Sequence, residues 1–263
     1  DLTVTGVQTC ALPICKVYPF LDEGKYKELV GFPLAEIPAP KGDESYDQYF
    51  LRPFFEALER VGVYPEVVNN YQFYQDGKFE ECTKRIIDQT ETAIKILETV
   101  SGRQLPKNWF PWTFKNNDGR LCTGKVIKYD WPYVTFENDK GEEITNNMSK
   151  GEGKLPWRLD WPSKWKVLGV TFEAFGKDHA TKGGSYDTGK EIIEKILGSK
   201  VPHHIVYEWI NLKGKGAMHS STGLAIPAEE MLRMAPPEVI RWLIMQPQPN
   251  RHIDFDQIGR AHV

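Results

Sequence analysis

Apolar residues recur at helical spacing in the first part of the chain. In residues 45–61, large apolar side chains return every three or four positions, which predicts a helix with Ser45 as its N-cap. The same spacing over residues 79–100 predicts one long amphipathic helix, ended by Ser101 and Gly102. Residues 63–74, between these helices, favour a strand.

A different pattern begins near residue 120. Polar and apolar residues alternate over 120–144 between turn signals, which predicts short antiparallel strands in a small insertion. After a Gly/Lys linker at 148–154, the pattern predicts a strand at 170–175, a helix at 186–197 and a strand at 204–212. Two short helices then start at Pro227 and at Pro236-Pro237. Strand, helix and strand in this order are typical of a parallel α/β sheet.

Composition limits the class of protein. The chain has 263 residues, of which 40% are hydrophobic and 26% charged, as in a globular protein with one large core or two smaller ones. A net charge of -3 argues against nucleic-acid binding through bulk charge alone. No apolar run approaches the roughly 20 residues that span a bilayer. Four cysteines without paired spacing predict neither a disulfide framework nor a zinc site. We therefore expect a soluble, cytoplasmic protein with no membrane partner.

The two ends of the chain resemble a translated sequencing adapter. The DNA ACG TGT GCT CTT CCG ATC encodes residues 9–14, and its reverse complement, shifted by one base, encodes residues 258–263. We therefore interpret residues 1–14 and 258–263 as adapter-derived, and the rest as an internal piece of a longer protein. A continuous reading frame through both ends in the source DNA would contradict this interpretation.

A glycine-rich segment, NLKGKGAMHSSTG at residues 211–223, suits contact with phosphate. Its glycines let backbone amides crowd around an anion, its lysines supply charge, and its hydroxyl groups supply adjustable donors. The pattern predicts a mobile loop that touches nucleotide phosphates. The alternative is a flexible surface loop.

A second polar segment, GKDHATKGGSYDTG at residues 176–189, directly follows a predicted strand. Ligands of parallel sheets bind beyond the carboxyl ends of the strands. There Asp178 can accept the hydroxyl groups of a ribose, while Lys177 and His179 can reach phosphate or polar substrate atoms. The alternative for Asp178 and His179 is helix capping and a surface histidine.

Three tryptophans fall within residues 157–165, WRLDWPSKW. Such rings wall an amino-acid or base pocket and attract cations, although they also commonly form core. Asp160 is a candidate partner for an ammonium group; its alternatives are an N-cap or a pair with Arg158. His203-His204 lacks a carboxylate or cysteine partner close in sequence, so it indicates strand-edge packing rather than a metal site.

These segments together resemble a known family. WRLDWPSKW, FEAFGKDHATKGGSYDTGKEII, YEWINLKGKGAMHSST, PPEVIRWLI and QPNRHIDFD resemble, in this order, the class I lysyl-tRNA synthetases over residues 16–256. The resemblance implies an α/β, Rossmann-type class I aminoacyl-tRNA synthetase catalytic domain with a small α+β insertion and the start of a helical stem-contact region. The implied parts are catalytic residues 15–75, insertion residues 76–155, catalytic residues 156–225 and stem-contact residues 226–257.

The resemblance also implies a reaction and its residues. Lysine and ATP, with Mg²⁺ accompanying the ATP, give lysyl-adenylate and pyrophosphate, and tRNA(Lys) then accepts the lysyl group. The implied ATP-binding residues are Gly176, Lys177, Asp178, Ala217, Met218, His219, Ser220 and Ser221. The implied catalytic residues are Lys215, Met218, Ser220 and Ser221, and the implied lysine pocket comprises Trp157, Asp160, His179 and Tyr207.

The sequence departs from the family pattern in several places. The His-Ile-Gly-His-like signature, expected before Lys16, is absent, and so is the anticodon-binding region expected after Asp256. His219 replaces a usually small residue, and Thr222 stands where many members have lysine, so Lys215 would have to supply that charge. The insertion lacks the zinc-binding cysteines of some members, and we expect no structural zinc. We also expect little activity from this chain alone. A glutamate-type synthetase and a non-catalytic tRNA- or nucleotide-binding paralogue are the alternatives.

Overall fold

A computed structural model describes residues 4–5, 15, 26–218 and 225–255. The helices are α1 Tyr46–Arg60, α2 Asn70–Gln75, α3 Glu80–Asp88, α4 Thr90–Ser101, α5 Trp157–Val167, α6 Ser185–Lys195, α7 Ala228–Met234 and α8 Pro237–Met245. The strands are β1 Val4–Thr5, β2 Thr113–Lys115, β3 Leu121–Cys122, β4 Lys125–Asp130, β5 Tyr133–Glu137, β6 Glu143–Asn147, β7 Gly153–Lys154, β8 Phe172–Gly176, β9 His203–Tyr207, β10 Ile210–Leu212, β11 Gly216–Ala217 and β12 Ile253–Phe255. Within the described ranges, no helix is long and apolar enough to cross a membrane.

The predicted α/β organisation is confirmed around β8. This strand pairs in parallel with β9 from Phe172↔His203 to Gly176↔Tyr207, and α6 connects the two strands. On its other side, β8 pairs in parallel with β1 through Val4 and Thr5. Those two residues belong to the segment predicted to be adapter-derived; most of that segment lies outside the described residues.

The described residues also form three further sheets. The orders are β11-β10-β12, β3-β2-β7 and β4-β5-β6. The sheets β3-β2-β7 and β4-β5-β6 are antiparallel, which confirms the strands predicted at 120–144. In the remaining sheet, β10 pairs antiparallel with β11 and parallel with β12.

A single hydrophobic cluster joins the predicted insertion to the parallel unit. It includes Ile86 of α3, Leu97 of α4, Phe136 of β5 and Trp161 of α5. Full burial of each such side chain contributes about 1.5–3 kcal/mol relative to exposure. On α6, a Cβ at Gly189 would lie 2.9 Å from Cη2 of Trp165, so glycine permits the close approach of α5 and α6.

The predicted helix starts are confirmed at three positions. Ser45 is the N-cap of α1, and its backbone N–H donates to Oε1 of Gln48 across 3.4 Å. Pro227 and Pro236 immediately precede α7 and α8. The fixed φ of proline suits the entry to a helix, and its missing N–H would have no partner there.

The strand predicted at 63–74 is wrong. Residues 63–69 form no regular element, and Asn70–Gln75 is a helix whose N-cap, Asn69, accepts a hydrogen bond from the backbone N–H of Gln72 (3.1 Å). The apolar side chains of Val63, Tyr64, Val67 and Val68 lie on the surface, as Tyr64 does at 78% exposure. Among the described residues no strand pairs with this segment, so its β-branched and aromatic side chains do not lead to a β-strand.

The single helix predicted at 79–100 is divided at Gln89 into α3 and α4. The hydroxyl of Thr90 donates to the carbonyl oxygen of Ile87 across 2.7 Å and competes with the helical backbone pattern. The predicted stop at Gly102 is confirmed by its left-handed φ of 68°.

The predicted linker at 148–154 is also wrong, because this segment belongs to the core. Met148 and Ser149 are buried in a short 3₁₀ turn, and Gly153–Lys154 pairs with β2. A Cβ at Gly153 would lie 2.3 Å from Nε1 of Trp112. Its glycines therefore mark close packing rather than flexibility.

The strand predicted at 204–212 is divided between two sheets. Glu208 and Trp209 separate β9 from β10, and the backbone N–H of Glu208 donates to the carbonyl oxygen of Pro249 (2.9 Å). The backbone N–H of Ile253 donates in turn to the carbonyl oxygen of Trp209 (3.1 Å). Up to Tyr207 the backbone is hydrogen-bonded to β8, and from Glu208 onward it is hydrogen-bonded to the segment that leads into β12.

Candidate active site

The segment GKDH lies at the carboxyl ends of β8 and β9. Gly176 is the last paired residue of β8, and Lys177–Ala180 turns away from the sheet as a 3₁₀ helix. The hydroxyl of Thr181 donates to the carbonyl oxygen of Asp178 (3.0 Å), and the side chain of Asp178 is exposed. α6 begins only at Ser185, so Asp178 does not cap it.

Three rings, those of Trp157 and Trp161 on α5 and of His179 in this turn, form an aromatic wall. The rings of Trp157 and Trp161 stack with centroids 5.3 Å apart at 16°. The ring of His179 lies 5.8 Å from that of Trp157 and 5.2 Å from that of Trp161. The indole N–H of Trp157 donates to Oγ of Ser185 (3.2 Å). The structure therefore brings together Trp157 and His179, two of the residues expected to line the lysine pocket.

Burial favours the neutral form of His179. Desolvation lowers the pKa of its imidazole below 6.5, and the neighbouring Asp178 carboxylate only partly opposes this effect. A neutral imidazole offers one donor and one acceptor nitrogen. It also adds no positive charge to the aromatic wall.

Tyr207 lies at the last paired position of β9, opposite Gly176. A Cβ at Gly176 would lie 3.7 Å from Cε2 of Tyr207, which places the tyrosine ring beside the start of the GKDH turn. Burial, followed by the charge of Glu173, raises the pKa of the Tyr207 phenol. Its hydroxyl group therefore keeps its proton at neutral pH.

The structure does not support Asp160 as a partner for a substrate ammonium group. Its side chain is 0% exposed, and the hydroxyl of Tyr74 donates to its Oδ1 across 2.6 Å. Nζ of Lys164 lies 3.1 Å from its Oδ2, so the carboxylate already faces an internal ammonium group. Burial, followed by the Asp160 charge, raises the pKa of the Tyr74 phenol well above its usual value. Asp160 thus belongs to a buried polar cluster of the core.

The alternative pair between Asp160 and Arg158 is also wrong. Nη1 of Arg158 donates instead to the carbonyl oxygens of Gly183 (3.1 Å) and Gly184 (3.0 Å). A Cβ at Gly184 would lie 2.6 Å from the carbonyl oxygen of Thr181, so this turn requires glycine. Arg158 and the two glycines fix the entry to α6 beside the aromatic wall.

The glycine-rich segment forms a hairpin over its first half. β10 and β11 pair antiparallel, and the turn between them contains Gly214 with φ 76°. Lys215 is exposed in this turn, and the backbone N–H of Met218 closes the hairpin on Ile210 O (3.0 Å). Ala217 ends β11. His219, Ser220, Ser221 and Thr222 lie outside the described residues.

An ion-pair bridge connects the GKDH turn to this hairpin. Nζ of Lys177 lies 2.6 Å from Oε2 of Glu208, and Nδ1 of His252 lies 3.3 Å from the same oxygen. The hydrogen bond from Lys177 holds the pKa of Glu208 below its usual range. Glu208 stands at the junction of β9 and β10, so the bridge ties three segments together.

The hydrogen bonds behind the aromatic wall were not predicted from the sequence. The indole N–H groups of Trp161 and Trp165 both donate to the buried carboxylate of Glu173 on β8. The available signal was an acidic residue inside the apolar strand FEAF. In the part of the chain that the structure describes, no group of three or more His, Cys, Asp or Glu side chains could hold a metal ion.

Comparison with known proteins assigns the family. A family model described as tRNA synthetases class I (K) matches residues 13–261. The chain belongs to this family. The match extends into both terminal segments that we interpreted as adapter-derived.

Named relatives of this class I (K) chain include the following three lysine–tRNA ligases. Lysine–tRNA ligase 1 of Methanosarcina acetivorans is 47% identical over 93% of the chain and 46% of the relative. The lysine–tRNA ligase of Picrophilus torridus is 44% identical over 93% of the chain and 48% of the relative. That of Archaeoglobus fulgidus is 42% identical over 93% and 50%. The chain thus spans about half the length of the curated relatives it matches.

A more distant likeness exists among solved structures. A putative arginyl-tRNA synthetase from Campylobacter jejuni has a TM-score of 0.41 and 13% identity, covering 80% of this chain and 40% of that one. Membership of the class I (K) family rests on the sequence matches.

Proposed function

We propose that the protein containing this chain is a lysine–tRNA ligase. It activates lysine with ATP and transfers the lysyl group to the 3′ end of tRNA(Lys). The observation that carries the proposal is the contact between Trp157 and His179 beyond the carboxyl end of β8. This contact occurs in a class I (K) tRNA synthetase chain whose relatives are named lysine–tRNA ligases.

The aromatic wall suits an amino acid with a long aliphatic stem and a terminal cation. The stem packs on the ring faces, while the quadrupole of an indole or phenol ring attracts the ammonium group. Because burial keeps His179 neutral, the imidazole does not repel that charge. Tyr207 supplies a protonated hydroxyl group at the end of the neighbouring strand.

The opposite end of the site suits ATP, which arrives with Mg²⁺ as part of the substrate. The exposed carboxylate of Asp178 accepts the ribose hydroxyl groups, and Lys177 lies next to it. We infer that the glycine hairpin brings Lys215 and Met218 to the phosphates; Ser220 and Ser221 follow in sequence and are the proposed hydroxyl donors. Lysine and hydroxyl donors there stabilise the charge that grows on the phosphate oxygens.

The chemistry needs no covalent intermediate with the protein. A carboxylate oxygen of lysine attacks the α-phosphorus of ATP, and the bond to the leaving pyrophosphate breaks. A hydroxyl group of the terminal tRNA ribose then attacks the carbonyl carbon of the adenylate, and AMP leaves. Both steps depend on holding the reactants in line and on charge stabilisation.

Pyrophosphate exchange by the full-length gene product tests this proposal. We expect exchange with lysine and none with glutamate, measured with and without tRNA(Lys). Trp157→Ala should raise the KM for lysine about tenfold, equivalent to roughly 1.4 kcal/mol of lost binding. Trp109→Ala, which changes a tryptophan in the loop before β2, is the matched control. Exchange with glutamate alone would support a glutamate-type synthetase, and no exchange with any amino acid would support a non-catalytic paralogue.

A further inference from the structure

Glu173 is a buried carboxylate that the proposed reaction does not use. It lies at the second position of β8 and is 3% exposed. The indole N–H of Trp161 donates to its Oε1 across 2.9 Å, and the indole N–H of Trp165 donates to its Oε2. Burying a carboxylate is costly unless donors compensate it, and hydrogen bonds to an ionised acceptor are stronger than neutral ones. The carboxylate and the two indoles therefore hold each other in fixed orientations.

Trp161 connects this carboxylate to the aromatic wall. Its ring stacks on Trp157 (5.3 Å, 16°) and lies 5.2 Å from the ring of His179 at 59°. Behind these contacts, Phe175 meets the Trp161 ring edge-on at 5.4 Å. A rotation of the Trp161 ring would move the surface against which both Trp157 and His179 pack.

We propose that Glu173 is a positioning residue for the amino-acid pocket. By accepting hydrogen bonds from Trp161 and Trp165, it fixes the plane of the Trp161 ring and, through that ring, the separation of Trp157 and His179. The proposal rests on the proposed function, because the pocket is the one that takes lysine. Glu173 itself touches no substrate.

The charge of Glu173 also reaches the far side of the pocket. It contributes to raising the pKa of the Tyr207 phenol and, after larger effects, that of Tyr186. Glu173 therefore lies close enough to Tyr207 for its charge to favour the protonated phenol.

Glu173→Gln separates positioning from a general effect on folding. The variant has nearly the same shape, but its amide offers one acceptor oxygen and one donor NH₂ group. With both tryptophans present, one indole N–H must face that NH₂ group. In Glu173→Gln/Trp165→Phe, the amide oxygen can turn to Trp161 while the NH₂ group faces the phenylalanine. In Glu173→Gln/Trp161→Phe, the amide oxygen accepts the hydrogen bond from Trp165. The aromatic wall then has no hydrogen bond to residue 173, because Trp161 is absent.

The experiment measures KM values for lysine and for ATP in pyrophosphate exchange, using the full-length protein. For Glu173→Gln we expect the KM for lysine to rise about tenfold, as for loss of one charge-assisted hydrogen bond, with the KM for ATP changed less than about twofold. The Trp165→Phe double variant should recover most of the lysine KM, and the Trp161→Phe double variant should not. KM values do not depend on the fraction of folded enzyme, so partial unfolding cannot imitate this pattern.

Each outcome decides between the two proposals. Equal lysine KM values for wild type and Glu173→Gln would overturn the positioning role and leave the lysine–tRNA ligase function standing. Proportional increases in both KM values, without recovery in the Trp165→Phe double variant, would also overturn it. If the wild-type protein exchanges with no amino acid, or with glutamate alone, the proposed function fails and the positioning role fails with it.

Discussion

Nζ of Lys177 lies 2.6 Å from Oε2 of Glu208, and this ion pair joins the turn after β8 to the junction between β9 and β10. The pair is partly exposed, and such pairs contribute little to stability because water competes for both ions. Lys177 can therefore leave Glu208 for a phosphate group at a small cost in free energy. The Lys177 ammonium group can serve either as a link between two loops or as a ligand of ATP.

Lys177→Met should raise the KM for ATP in pyrophosphate exchange by about three- to tenfold, because a phosphate loses its ammonium partner. Glu208→Gln should leave that KM unchanged or lower it, since Lys177 is then released. Lys190→Met is the matched control, because Lys190 forms a similarly exposed pair with Asp187 (2.9 Å). Equal ATP KM values for Lys177→Met and Lys190→Met would contradict a role for Lys177 in ATP binding.

Asp160→Ala should destabilise the chain by about 3–5 kcal/mol, since it leaves the buried ammonium group of Lys164 without a counter-charge. Equilibrium urea unfolding measures the change. Asp88→Ala is the matched control: Asp88 pairs with Lys84 at the same i,i+4 spacing, but on the surface. That variant should lose less than about 1 kcal/mol. Similar losses for the two variants would show that Asp160 and Lys164 are not a buried pair.

Gly184→Ala should destabilise the chain by about 1–3 kcal/mol, the usual cost of overpacking. The reason is steric, because φ at Gly184 is an ordinary -71° while its Cβ would lie 2.6 Å from Thr181 O and 2.7 Å from His179 O. Gly176→Ala, with φ -66° and a nearest contact of 3.7 Å, should change stability by less than about 0.5 kcal/mol. Thermal unfolding of both variants measures the difference, and a tolerated Gly184→Ala would contradict the described turn.

His179 should make the folded state sensitive to acid. Its pKa is lower in the folded chain than the usual 6.5, so the unfolded chain binds a proton more readily as the pH falls below that value. The stability that neutral His179 provides is present above pH 6.5 and is lost below it. His179→Phe keeps an aromatic ring but removes the titration, and should lose less stability between pH 7.5 and 5.5. Urea unfolding at both pH values measures this, and equal losses would show that His179 does not titrate differently on folding.

We predict that the chain binds no structural zinc. Cys82 is buried, and the described residues contain no group of three or more His, Cys, Asp or Glu side chains that could hold a metal ion. Metal analysis of the purified chain measures the content, and one equivalent of bound zinc would overturn the prediction.

The sequence predicted elements well where local chemistry was decisive. Ser45, Gly102, Pro227 and Pro236 mark helix ends because capping and fixed φ values act within a few residues. The strand expected at 63–74 failed because β propensity needs a partner strand, which is information from elsewhere in the chain. The division of 204–212 at Glu208 failed to be predicted for the same reason, since it depends on Pro249.

The candidate site was predictable in part. The contact of Trp157 with His179 agrees with the proximity expected from the resemblance, and Lys177 and Asp178 lie where strand-end reasoning placed them. Asp160 was misjudged because its partners, Tyr74 and Lys164, can be recognised only once the helices pack. Glu173 was missed because its two indole donors come from one turn of α5 that meets β8 only in the folded chain.

The cluster that joins α3 and α4 to α5 and α6 limits how this protein can be recombined with its relatives. A chimera that exchanges residues 76–155 alone would cut between Ile86 and Leu97 on one side and Trp161 on the other, which share one core. The exchanged segment would meet a surface shaped by a different parent. Hybrids that fold should therefore take residues 76–155, α5 and α6 from the same parent. The segment that must be exchanged as a whole is longer than the predicted insertion.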